Sequence, residues 1–180
     1  MATKAKSKEI VLSKNIWLGP ARAPVTLVEY GDYQSADCAV ANQAVKQLLF
    51  DFDQKIRFSF RHFPLSQVNQ YAMKAAEAAV AAAQEGKFWE MHDMLFSHRN
   101  QLGTISLKNY AREIGIQDKR FLDNLMNSMF SWQVRDDLLE GLQKGVREVP
   151  AFFINGQPLT GPATYENLSV TIQQLVAEEI

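Results

Sequence analysis

The segment Val25-Thr26-Leu27-Val28-Glu29-Tyr30 is β-branched and apolar at both its odd and its even positions. A strand of that kind cannot turn one face to water, so it calls for a sheet covered by helices on both sides. The flanking residues fit. Gly31 to Gln34 read as a loop, and from Ser35 the period changes: Cys38, Ala41, Ala44, Val45, Leu48 and Leu49 recur at three and four, the stripe of an amphipathic helix. Ser35 stands where an N-cap belongs and Asp37 falls in the first turn, where the helix dipole favours an acid. Ile56 to Arg61 then alternates as a second strand. Strand, helix and strand in this order predict a right-handed parallel unit.

The middle of the chain reads as helix after helix. One is predicted from about Gln67 to Glu85 and another over Lys87–Ser97; a third is capped by Ser106, a fourth by Asp118, and a fifth runs from Trp132 to about Lys144. Strand character returns at Ala151–Ile154. Asn155-Gly156 is a hairpin signal, Gln157–Thr160 the returning strand, and Tyr165–Glu178 a last helix. Hydrophobic residues are 47% of the 180 and charged residues 22%, enough for a packed core and unlike a disordered chain. Nineteen Lys and Arg against twenty Asp and Glu give a net charge of -1, which lacks the basic excess of a nucleic-acid binder. The most apolar stretch, Ala75 to Ala83, is interrupted by Glu77 and falls short of the roughly 18 residues of a membrane span. The start, MATKAKSK, is not followed by the apolar stretch of about 7–15 residues that a secretory signal carries. Residues 1–13 are therefore expected to be a mobile basic tail and the protein cytoplasmic.

Cys38 is the single cysteine. It excludes an internal disulfide, an internal dithiol couple and a Cys-rich metal site. Glu90, His92 and Asp93 lie close in sequence, but no second cluster completes a metal site, and no Gly-rich phosphate loop is present.

Four stretches carry a resemblance: VTLVEYGDYQ, FRHFPL, AAEAAVAAAQEGKFWEMHDMLF and GVREVPAFFING. In this order the chain resembles the DsbA-like thiol-disulfide oxidoreductases, in particular a bacterial branch also found fused behind sodium-proton antiporters. The likeness covers roughly residues 16–180. It implies an α/β thioredoxin fold (β-α-β … β-β-α), built from residues 14–65 and 145–180, with an all-helical insertion at 66–144. That family opens its first helix with Cys-x-x-Cys, whose first thiol gains acidity at the helix N-terminus and whose second resolves the mixed disulfide. Here the motif reads Ser35-Ala36-Asp37-Cys38. The resolving position is kept and the attacking position is serine. The intervening pair differs from the usual Pro-Tyr as well, which fits natural divergence better than one engineered substitution.

The resemblance implies a site of Glu29, Ser35 and Cys38, with Val149, Pro150 and His62 contacting substrate. Glu29 matches an acid that relays protons beneath the family's disulfide; otherwise it is a strand-end carboxylate that reaches water or a base. Pro150 matches a proline that is cis in the family, and Val149 before it offers its backbone to an extended substrate. Ser35 is a helix cap, or a hydroxyl donor to a ligand thiolate as in the similar kappa-class glutathione transferases and their isomerase relatives. Cys38 is a buried small hydrophobe or an accessible thiol that forms mixed disulfides, and neighbouring Asp37 argues against a thiolate there. His62 follows the second strand, where open α/β sheets carry sites, although a structural histidine is the plainer reading. His92 and His98 read as structural or surface.

The expected functions are therefore monothiol redox or glutathione-linked chemistry at Cys38, a glutathione-dependent transferase or isomerase using Ser35, or a non-enzymatic peptide-binding module. A dithiol-disulfide cycle is excluded. Beyond glutathione as candidate co-substrate no cofactor is expected. The expected partners are a thiol-containing small molecule or an extended peptide, with neither nucleic acid nor membrane; the sequence leaves the oligomeric state open.

Overall fold

A computed structural model describes residues 9–178. Its sheet has the order β2-β1-β3-β4, with β1 Val25–Gly31, β2 Ile56–His62, β3 Ala151–Ile154 and β4 Gln157–Pro158. The β1–β2 pair is parallel and joined by α1, Ala36–Asp51; β3 runs antiparallel to both β1 and β4. Between β2 and β3 lie α2 Ala72–Ala83, α3 Phe88–Ser97, α4 Thr104–Glu113, α5 Arg120–Met126 and α6 Ser131–Gln143, and α7 Tyr165–Glu178 closes the chain. This is the expected thioredoxin fold with a helical insertion.

The central strand is buried as its composition demands. Val25, Leu27, Glu29 and Gly31 share one face of β1 with Ile56, Phe58, Phe60 and His62 of β2 through their register. That face meets the buried side of α1, Cys38, Ala41, Val45 and Leu48. The same apolar cluster runs on into α2, α3, α4 and α5, so the insertion and the sheet share one core. Buried Glu77 interrupts apolar α2 but pairs with Lys74 at 3.0 Å; that ammonium also donates to Leu125 O and Ser128 Oγ, both at 2.7 Å. Among the described residues no helix is long and apolar enough to cross a membrane.

Several element boundaries depart from the sequence reading. Residues 66–71 are turns rather than the first turn of α2, because Asn69 Nδ2 donates to Asp32 Oδ2 at 2.9 Å and Tyr71 N to Gln34 Oε1 at 3.0 Å. Helix α4 starts at Thr104 behind Gly103, so Ser106 lies inside it rather than at its cap. The returning strand stops at Pro158 instead of Thr160. The tail boundary also moves: MATKAKSK lies outside the described residues, but residues 11–13 are docked. Val11 exchanges hydrogen bonds with Gln84 at 3.0 Å, Ser13 N donates to Gln133 Oε1 at 2.8 Å, and Ser13 Oγ bonds Asp137 Oδ1 at 3.0 Å. Leu18 then bridges Phe58 at the free edge of β2. Polar partners on α2 and α6, distant in sequence, hold a segment whose own pattern reads as loose.

Candidate functional site

The N-terminus of α1 is built locally. Ser35 has extended backbone, and its Oγ accepts from Cys38 N at 3.2 Å, the bond of an N-cap. One turn in, Cys38 is fully buried. Asp32 N–H donates to its Sγ at 3.5 Å. Burial pushes the thiol up to about 12, and the charges of Glu29 and Asp32 add to this, against the hydrogen bonds from Ser35 and from the Asp32 backbone. The acids acting on the thiol are thus Glu29 and Asp32, whereas the sequence reading assigned that effect to Asp37. A protonated thiol without solvent access is a poor nucleophile.

Beneath α1 lies Glu29, completely buried, with no hydrogen-bond partner for either carboxyl oxygen among the described residues. Desolvation holds its pKa well above the usual carboxylate value. This excludes the alternative of a strand-end carboxylate in water. Next to it Tyr33 OH meets His92 Nδ1 at 3.0 Å, and His92 Nε2 meets Asn42 Oδ1 at 3.1 Å. Because the Asn42 oxygen can only accept, Nε2 carries the proton and Nδ1 accepts from Tyr33. Burial drives His92 down to about 3, with the charges of His62 and Lys46 adding to it.

His62 lies opposite Gly31 at the end of β2, fully buried beside Tyr33 and Phe88, with both ring nitrogens unpartnered among the described residues. Burial, then the Arg61 charge, lowers it to about 3. Its ring is fully buried, so the expected substrate contact at His62 would need the end of β2 to open. The strand continues inward to this position, so the expected exposed loop starts only beyond it.

The opening of the site is elsewhere. A groove of about 660 Å3 runs along Val149, Pro150, Phe153 and Leu159, with Asp37 and Val40 of α1 on its other wall. The Val149–Pro150 peptide is cis. Among the described residues no hydrogen bond engages the Val149 amide or carbonyl. Neither Ser35 nor Cys38 forms a wall of the groove. The structure thus gathers Glu29, Ser35 and Cys38 under the end of α1, and Val149 and Pro150 beside it in the groove.

These features have counterparts in known proteins. A family model described as Thioredoxin matches residues 12–174. The chain belongs to the thioredoxin family. It is 39% identical over 159 residues to a protein named Na(+)/H(+) antiporter NhaA 3 from Salinispora tropica, covering 88% of this chain and 24% of that protein. A Herminiimonas arsenicoxydans protein named Na(+)/H(+) antiporter NhaA is 34% identical over 153 residues, covering 85% and 24%. This thioredoxin-family chain spans about a quarter of the length of those curated relatives. Oxidised BdbD from Bacillus subtilis superimposes with a TM-score of 0.82 at 25% identity, over 89% of this chain and 92% of that one. The thiol-disulfide exchange protein alpha-DsbA2 from Wolbachia pipientis has the same fold, with a TM-score of 0.75 at 22% identity over 88% and 86%. The fold is that of the DsbA-like thiol-disulfide oxidoreductases, with Ser35 in place of one active-site cysteine.

Sequence reasoning missed Tyr33, Asn42 and Asp32. Asp32 is buried and organises the turn: Oδ1 accepts from Gln34 N at 2.7 Å, and Oδ2 from Leu65 N and Asn69 Nδ2, both at 2.9 Å. An Asp two residues before such a turn is a readable Asx signal. It also missed Asp137, which desolvation raises to about 6 despite bonds from His62 N and Ser13 Oγ and the nearby Arg61. No local pattern marks Tyr33 and Asn42, whose link through His92 spans two elements.

Proposed function

We propose that the chain is a binding module on an oxidoreductase scaffold, which holds an extended peptide segment in the groove beside Val149 and Pro150 and performs no thiol exchange. One observation carries this reading: Cys38 is sealed under the helix end while the neighbouring groove is open. The free backbone of Val149 suits strand-like pairing with such a segment. Monothiol redox at Cys38 would require that helix end to open first.

Titration with an extended apolar peptide tests the proposal. Binding is expected, with loss in Pro150→Ala and weakening in Val40→Gln, an exposed groove position that leaves the core intact. Absence of binding, or binding indifferent to both changes, overturns it. A second reading rests on Ser35, whose hydroxyl accepts from Cys38 N and retains its own proton to donate. It predicts glutathione binding that weakens in Ser35→Ala; a flat glutathione titration removes it. A cytoplasmic location remains part of the proposal. One structural relative is named a periplasmic thioredoxin-like protein, and cell fractionation separates the two compartments.

A further inference from the structure

The charged side chains around the groove are Asp37, Lys144, Arg147 and Glu148. Both cations are engaged within the chain. Lys144 Nζ lies 3.7 Å from Glu140 Oε1 and 5.5 Å above the Phe153 ring. Arg147 Nη1 donates to Leu142 O at 3.2 Å and to Val146 O at 2.8 Å. The two anions are not so engaged: among the described residues neither Asp37 nor Glu148 has an ion pair or a side-chain hydrogen bond. Arg147 keeps its charge on these neutral carbonyls, but with Glu140 offsetting Lys144 the two carboxylates outnumber the one remaining cation, and the rim of the groove is net negative. Asp37 is exposed near the start of α1 and lines the groove together with Val149 and Pro150.

We propose that this groove selects extended segments carrying a Lys or Arg side chain, directed at Asp37 with Glu148 as a second acidic contact. The inference rests on the peptide-binding reading above and adds the chemistry of its partner. The apolar lining residues Val40, Phe153 and Leu159 hold the backbone and small side chains, and the unpaired carboxylates choose the charged one. Asp37 thus determines specificity at the place where the fold family normally carries out redox chemistry.

The test uses three capped extended peptides that differ only at a central position, occupied by Lys, norleucine or Glu. The Lys peptide is expected to bind best and the Glu peptide worst, with steps of about two- to fivefold, the range for an exposed ion pair. The preference should shrink as salt rises. Asp37→Asn should reduce the preference of Lys over norleucine, the Asp37→Asn, Glu148→Gln pair should abolish it, and Asp37→Lys should favour the Glu peptide. Equal binding of all three, still lost in Pro150→Ala, overturns charge selection and leaves the groove reading standing. A Lys preference that is undiminished in both Asp37 variants also overturns it. If no peptide binds, both readings fall.

Discussion

Glu29 and His62 occupy one face of the parallel strand pair, and each has an ionisable group without a hydrogen-bond partner among the described residues. Their effects on stability oppose each other. Glu29 has a raised folded-state pKa, so its contribution is fullest at acid pH and is lost as pH rises above the unfolded value of about 4.3. Glu29→Gln is therefore expected to stabilise the protein at pH 7, on the order of 1–3 kcal/mol, with the gain vanishing near pH 4. Urea unfolding at several pH values measures it; a loss of stability at pH 7 would show that the carboxylate has a partner. His62 is depressed to about 3, so its contribution is present above about 6.5 and is lost as pH falls toward 3. His62→Leu should flatten that acid limb in the same experiment, and an unchanged limb would contradict the assignment. At this scale the sequence was partly legible. Ser35 could be read as a cap because its partner is three positions away, whereas Tyr33, His92 and Asn42 meet across 59 and 50 positions. Periodicity placed Cys38 on the apolar face of α1 but could not say what covers that face.

Helix α6 shows how packing overrides local propensity. Gly141 lies in its interior, where alanine would ordinarily stabilise by about 1 kcal/mol. A Cβ there would come within 2.8 Å of Phe63 Cδ2 and 2.9 Å of Tyr30 Cδ1. Both rings are buried and cannot move aside cheaply. Gly141→Ala is thus expected to destabilise by about 1–3 kcal/mol, lowering the melting temperature by several degrees; a rise would mean that propensity dominates. The elements themselves were legible because their periods are long and regular. Their ends were not, since the turns at residues 66–71 are set by Asp32 and Gln34, more than thirty positions earlier.

At the scale of the whole molecule, the β-α-β and β-β-α halves, with the helices between them, follow from the order of patterns along the chain. What order cannot reveal is that sheet and insertion share one core, or that the groove opens beside the cysteine without reaching it. Ser35→Cys examines how far the scaffold has kept its redox geometry. It places a second sulfur one turn before Cys38, and mild oxidation should remove two hydrogens to close a disulfide. Failure to close would show that the helix end has moved away from that geometry.

The proposed binding in the groove of this thioredoxin-family chain leaves the Cys38 thiol unused. The most direct measurement is the rate at which Cys38 reacts with an aromatic disulfide in native buffer, compared with the rate in denaturant. The thiol is expected to be protected in the folded chain and to titrate fully and quickly once unfolded. Stoichiometric reaction at a comparable rate in the native state would contradict it.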